Sequence, residues 1–285
     1  MRSLTVSLLN INQAELTINL LDRLACLSAE GWAVQLIWVD NGSRDDQVRQ
    51  LLEWFLANKE RFAEALFVTA SRNLGVDGGR NIALKAASHD RILILDNDII
   101  LPHDAAWLDT LWQRMEDDPQ IGIVGPMLVF AAHPDIAEST GIGLTDRGRV
   151  GYLNRAQPVD HISSTLVEVV ATPAACWLVR REAQQMIGLL SDEYYPIQYA
   201  DVDFCVRLTL AGWKIVCDQS VRIKHIGNLT TRNLEGQSYA RLAVRHWMIF
   251  RDKWADILPH IASISEDDIY WGPIPRLDKG GPLIS

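Results

Sequence analysis

Asp96-Asn97-Asp98 sets two carboxylates two residues apart, directly after the apolar run Ile92-Leu93-Ile94-Leu95. Two such groups past the end of a buried strand can converge on one hard cation. Mg2+ and Mn2+ take oxygen ligands and bind well where phosphate oxygens complete the shell. The plain alternative is a solvated turn. Asp77-Gly78-Gly79-Arg80-Asn81 offers a second chemistry. Asp77 can cap a helix, Gly78 and Gly79 let another group approach the backbone, and Arg80 on the first turn can reach a diphosphate. The segment is neither a Walker loop nor a G-x-G-x-x-G fingerprint, so it lends no support to an ATPase or a dehydrogenase. Asp201-Val202-Asp203 opens a helix. Acidic residues there suit the helix dipole, and one of them can instead serve as a general base toward a hydroxyl. His225, after Arg222-Ile223-Lys224, is either a structural histidine or a neutral imidazole ligand for a metal.

These residues need elements to hold them. Leu4 to Leu9, Val34 to Val39, Leu66 to Thr69 and Arg91 to Leu95 read as strands, and helices are expected over Ala14–Ala29, Asp45–Asn58 and from about Asp77. Near-continuous apolar strands alternating with helices predict an α/β fold, a mostly parallel central sheet with helices on both faces. Ligands bind at the carboxyl ends of such strands. Asn10, Asp40, Arg72-Asn73 and Asp96 to Asp98 all fall there, the first argument for one shared site. The second half is less regular: loops and short strands over 131–164, a helix over Asp201–Ala211, a helix over Gly236–Trp254. No repeat or linker divides the chain, so a single fused domain over 1–258 is expected, with a nucleotide half over 1–130, an acceptor half over 131–258 and a tail over 259–285.

The totals narrow the function. The chain has 285 residues, 48% hydrophobic, enough for a substantial core. A net charge of −9 disfavours a general nucleic-acid binder, since phosphate backbones attract dense Lys/Arg surfaces. No apolar run approaches the roughly 20 residues that span a bilayer. Cys26, Cys176, Cys205 and Cys217 form no C-x-x-C pair and read as buried free thiols of a reducing compartment. The expected location is the cytoplasm, with peripheral contact at the inner face of the membrane left open.

Taken in order, Val39-Asp40-Asn41-Gly42-Ser43, Asn73 to Asn81, Leu95 to Asp98, Cys176 to Glu182, Tyr199 to Arg207 and His225 resemble the family-2 glycosyltransferases of GT-A fold, and among them bacterial rhamnosyltransferase-like members. The resemblance runs from about Leu4 to Trp254. It implies a metal-dependent, inverting glycosyltransferase (a hexosyltransferase-type enzyme) with a Rossmann-like core, using Mn2+ or Mg2+ and a nucleoside-diphosphate sugar. Asn10 and Asp40 would hold the nucleoside, with Asp40 accepting the N–H of a uracil or thymine ring. Arg72, Asn73, Gly78, Gly79 and Arg80 would line nucleotide and diphosphate. Asp96 and its neighbour Asn97 would lie near ribose and metal, and Asp98 and His225 would ligate the metal. Asp201 falls on the position of the catalytic base and Asp203 on the acidic position after it. The family's Glu before that base is Ala200 here.

Trp177 and Tyr194 to Tyr199 can form an aromatic wall for the acceptor, or pack as core. The acceptor is open among a glycan, a lipid-linked sugar, a protein and a small molecule. The helix around 239–254 can pack on its own domain or against a second copy. Two rival readings are a sugar nucleotidyltransferase, which lacks its Gly-rich loop at Leu9-Asn10-Ile11-Asn12-Gln13, and a non-catalytic nucleotide-sugar-binding or assembly protein, which Ala200 keeps in view.

Overall fold

The computed structural model describes residues 2–227 and 236–273. The first half alternates as expected: β1 (Arg2–Asn10), α1 (Ala14–Cys26), β2 (Trp32–Asp40), α2 (Asp45–Asn58), β3 (Glu64–Thr69), α3 (Gly75–Ala86), β4 (Arg91–Asp96). A two-residue strand β5 (Ile99–Ile100) and α4 (Ala106–Asp117) lead into β6 (Ile121–Phe130) and β7 (His133–Ser139). Then come β8 (Ile142–Leu144), β9 (Val150–Tyr152), β10 (Leu166–Glu168), β11 (Cys176–Arg180), α5 (Arg181–Ile187), α6 (Ala200–Leu210) and β12 (Lys214–His225). The described chain closes with α7 (Gly236–Lys253) and α8 (Leu258–Ile261).

The main sheet runs β10-β12-β6-β11-β4-β1-β2-β3, with β5 on the edge of β12 and β7 on β6. β3, β2, β1 and β4 are mutually parallel, and β12 is parallel to β6. β11 enters antiparallel between β4 and β6. By length of pairing the sheet is mostly parallel.

Its strands are apolar throughout because both faces are covered. Along β4, Leu93 and Leu95 enter a core shared with α1, α2 and α4, while Ile92 and Ile94 enter a second core shared with α5, α6 and α7. Side chains alternate across a strand, so one run of four apolar residues serves two layers. Of the four cysteines, Cys176, Cys205 and Cys217 are buried, but Cys26 is exposed at the end of α1, with its thiol 3.3 Å from the Asp22 carbonyl.

The segment expected as a tail begins docked. The Ser263 N–H donates to the Leu144 carbonyl at 2.9 Å, and the Thr145 hydroxyl donates to Glu266 at 3.0 Å. Residues 274–285 of that expected tail lie outside the described residues. α7 packs on its own domain through Phe250 and His246, both wholly buried, while Val244 and Met248 remain exposed. Among the described residues, no helix is long and apolar enough to cross a membrane.

Candidate functional site

Register brings the strand ends together. Asn10 pairs with Asp40 across β1 and β2, and Leu9 pairs with Asp96 across β1 and β4. Asn10 Nδ2 donates to Asp40 Oδ2 at 2.9 Å, and Trp38 Nε1 donates to Asn10 Oδ1 at 2.6 Å. The Ser43 backbone N–H caps Asp40 Oδ1 at 3.0 Å, and its hydroxyl reaches Oδ2. Asp40 is fully buried with three donors around it.

The next turn is clamped to the loop before α3. Asn41 Nδ2 donates to the Gly75 carbonyl at 2.9 Å and to Asn73 Oδ1 at 3.2 Å, and Asn41 Oδ1 accepts from the Leu74 N–H at 2.9 Å. Gly42, at φ +84°, passes so close to Arg72 that a Cβ would sit 2.5 Å from its carbonyl carbon. Only glycine tolerates both conditions. Arg72 and Asn73 thus stand on an exposed loop beside Asp40. Gly79 lets α3 settle directly on Leu9, and Gly78 lies half-buried on the same turn.

Arg80 is buried at the centre. Its Nη2 lies 2.6 Å from Asp96 Oδ1 and 2.8 Å from the Ala174 carbonyl. Burial raises the Asp96 pKa against the pull of Arg80, and the Asp98 charge adds to the rise. Asp201, at the start of α6, is likewise raised by burial, opposed by Arg80 and by the N–H groups of Val202 and Ala174. A carboxylate held above its usual range is a better proton acceptor near neutral pH. The residues leading to it are strained: Gln198 and Tyr199 adopt φ of 78° and 65° without being glycine.

Asp98 and His225 meet through β5 and β12, where Ile99 pairs with His225. His225 Nε2 lies 3.2 Å from Asp98 Oδ1, and its Nδ1 lies 2.7 Å from Glu138 Oε2. Burial alone would lower the His225 pKa, but Asp98 and Glu138 together raise it well above its usual value. Burial likewise pushes Asp98 up, and His225 more than reverses this, leaving it lowered. The donor set fits a divalent cation. Two cis ligands of an octahedral ion with bonds of about 2.1 Å stand about 3 Å apart, close to the observed separation. Glu138 on the far nitrogen would fix the tautomer that aims Nε2 at such an ion. Among the described residues no group of three or more His, Cys, Asp or Glu encloses a metal.

Several expected residues do other work. Asn97 Nδ2 donates to Thr17 at 3.0 Å and so ties the turn to α1. Trp177 is wholly buried, with its Nε1 on the Thr172 carbonyl at 2.9 Å, and Tyr194 is wholly buried too. β11 lies mid-sheet with both faces covered, and Tyr194 joins the same hydrophobic cluster as Trp177, so both rings are core. The aromatic wall reduces to Tyr195, half exposed, and partly buried Tyr199. Asp203 is fully buried rather than open to an acceptor. It takes the Tyr194 hydroxyl (3.1 Å), Trp254 Nε1 (3.0 Å), Arg207 Nε (2.9 Å) and Lys253 Nζ (2.9 Å), fastening α7 to α6. Ala200 is also buried, in the core beneath α6. Sequence reasoning missed Glu138 and the backbone of Ala174. Neither lies in a motif, and each reaches the site only through strand pairing.

Comparison with known proteins bears on the family and the fold. The model of the family described as "Glycosyl transferase family 2" matches residues 15–184. The O-antigen biosynthesis protein RfbC of Myxococcus xanthus is 29% identical over 151 residues, covering 51% of this chain and 12% of that protein. The chain thus spans only a small part of the length of that relative. GalNAc-T7, solved with UDP, GalNAc and Mn2+, superposes with a TM-score of 0.66 at 12% identity, over 91% of this chain and 49% of that one. The mannosyltransferase PcManGT from Pyrobaculum calidifontis, solved with GDP-Man and Mn2+, superposes with a TM-score of 0.55 at 14% identity, over 91% and 73%. The fold is of GT-A type.

Proposed function

This chain belongs to glycosyl transferase family 2, and we propose that it transfers a sugar from a nucleoside-diphosphate sugar to a hydroxyl acceptor by a single inverting displacement. The observation that carries the reading is the convergence, at one end of the sheet, of the Arg80–Asp96 ion pair, the facing pair Asp98–His225 and the partly buried carboxylate of Asp201. Cation, metal-type ligands and base are the parts such a transfer needs.

Each residue has a step. Asp201 takes the proton of the acceptor hydroxyl. That oxygen forms a bond to the anomeric carbon from the face opposite the leaving group, while the bond from carbon to phosphate oxygen breaks and its electron pair leaves with the nucleoside diphosphate. Arg80 offsets the charge that grows on the diphosphate. Asp98 and His225 would hold a divalent cation, Mn2+ or Mg2+, which would supply Lewis-acid stabilisation of the same leaving group. By analogy with the family, Asp40 favours a UDP- or dTDP-sugar over a GDP-sugar. Being closed from solvent, it would be reached after a small shift of the 40–43 turn. The GalNAc-T7 complex with UDP and Mn2+ and the PcManGT complex with GDP-Man and Mn2+ both support a nucleotide-sugar donor, and a relative named for O-antigen biosynthesis favours a growing glycan or a lipid-linked sugar as acceptor. The single fused domain is proposed to take in the docked segment beyond 258 as well, through Ser263 and Glu266.

Release of nucleoside diphosphate from a panel of UDP-, dTDP- and GDP-sugars tests the reading, with Mn2+, Mg2+ or chelator, in wild type, Asp98→Ala and Asp201→Asn. Slow metal-dependent release from one donor, lost in both variants, is expected. Tight binding of a donor without turnover even when glycan and lipid-linked acceptors are supplied would mark a binding protein instead. No binding of any nucleotide sugar would overturn the reading.

A further inference from the structure

Asp77 has no place in the transfer derived above, yet it is only 2% exposed and neither carboxylate oxygen meets a protein donor. One helical turn later on α3, Arg80 Nε is buried and equally without an acceptor. The two orphans are close enough on the helix to face a common point, but they do not bond to each other. Arg80 instead spends its Nη2 on Asp96 and Ala174. Unpaired buried polar groups are costly and rare in folded proteins.

The surroundings say which ligand answers both. α3 packs against the segment that leads into α6: the Val76 N–H donates to the Pro196 carbonyl at 2.9 Å, and Asn81 exchanges two hydrogen bonds with the Leu190 backbone. Asp77 is thereby set where it feels the charges of Asp201, Asp192 and Asp203 as well as that of Arg80. Burial pushes it up to about 7 despite Arg80. A second phosphate beside these carboxylates would be repelled. A neutral group that donates to a carboxylate and accepts from Nε at once is a hydroxyl. Arg80 faces the diphosphate and Asp201 the acceptor oxygen, so a hydroxyl taken by Arg80 Nε belongs to the sugar joined to that diphosphate.

We propose that Asp77, with Arg80 Nε, recognises a hydroxyl of the donor's pyranose ring, which makes Asp77 a specificity-determining residue for the sugar. This rests on the glycosyltransferase reading and goes beyond it by assigning the sugar contact to α3.

Calorimetric titration of the full chain in Mn2+ tests it. The titrants are UDP, dTDP and GDP, their sugars, and single-deoxy analogues of whichever sugar nucleotide binds. The proteins are wild type, Asp77→Ala and the isosteric Asp77→Asn, each checked for native circular dichroism. Asp77→Ala is expected to weaken the sugar nucleotide about 10-fold or more and to leave the free nucleoside diphosphate within about twofold. Asp77→Asn keeps one acceptor oxygen and should show the same selective loss in smaller measure, so recognition is read even if the alanine variant folds poorly. One deoxy analogue should bind wild type as weakly as the full donor binds Asp77→Ala, with no further loss in the variant. Unchanged sugar-nucleotide binding, or equal loss for diphosphate and sugar nucleotide, overturns this assignment alone. Wild type binding neither would overturn the glycosyltransferase reading, and the assignment with it.

Discussion

Arg80 Nη2 lies 2.6 Å from Asp96 Oδ1, so the cation expected to meet a diphosphate is already held by the first carboxylate of the Asp96-Asn97-Asp98 run. The pairing pre-organises the guanidinium, whose charge also favours the ionised forms of Asp77 and Asp201. A lysine lacks the planar guanidinium that fixes Nη2 on Asp96 and the Ala174 carbonyl while leaving further N–H groups for a diphosphate. Arg80→Lys is therefore expected to lower kcat/KM by about 10-fold or more, a transition-state loss of about 1.4 kcal/mol or greater. Arg80→Met, which leaves the carboxylates uncompensated, should also cost about 1–3 kcal/mol of stability, discounted because Asp96 is partly exposed. Steady-state kinetics and urea midpoints would check the two effects.

Asp201→Asn keeps the size of the side chain and removes its basicity. Transfer should fall by about 100- to 10,000-fold, the range of a lost general base, while donor affinity measured by calorimetry stays near wild type. Equal losses in binding and rate would place Asp201 in donor binding instead.

Asn10 is a structural keystone beneath the nucleoside end. It donates to Asp40 and accepts from Trp38 Nε1, all inside a buried layer. Asn10→Ala would leave the indole N–H without a partner, at a cost of about 1–3 kcal/mol. Two-state urea unfolding would show this as a lowered midpoint with an unchanged slope.

The two halves of the molecule differ in how far they can be read from sequence, and the reason is physical. Strands β1, β2 and β4 end where apolar runs meet Asn10, Asp40 and Asp96, so local pattern alone marks both the elements and the site end of the sheet. Glu138 escapes such a reading. It sits in a short exposed-to-buried strand and meets His225 only because β7 pairs with β6 and β6 with β12. Trp177 misleads for the opposite reason: an aromatic beside a motif suggests a binding wall, but every residue of β11 is buried between two layers. The role of Asp203 likewise depends on Lys253 and Trp254, about fifty residues away, which no helix-start pattern could reveal.

Glu138 gives a prediction of its own. As the partner of His225 Nδ1 at 2.7 Å, it sets which imidazole nitrogen faces Asp98. Glu138→Gln should weaken Mn2+ affinity by about 10- to 100-fold, the usual cost of losing such an outer partner. Electron paramagnetic resonance of free Mn2+ in a titration would read this without any turnover. An unchanged affinity would mean that His225 is aimed by the strand alone.

Asp77 predicts a pH-dependent exchange of stability for function. Its native pKa, about 7, lies above the ordinary 3.8. Between those values the native state holds a proton that the unfolded chain has released, so rising pH favours unfolding. The penalty is absent below about pH 4 and fully present above about pH 7, with an upper bound of about 4 kcal/mol at about 1.4 kcal/mol per unit. Asp77→Asn does not titrate. It should melt higher than wild type at pH 8, and the advantage should shrink steadily to nothing near pH 4. Melting curves across that range decide the matter: a gain of equal size at both ends would trace to packing rather than to the buried charge, and a loss at pH 8 would show that the carboxylate is satisfied in the free protein.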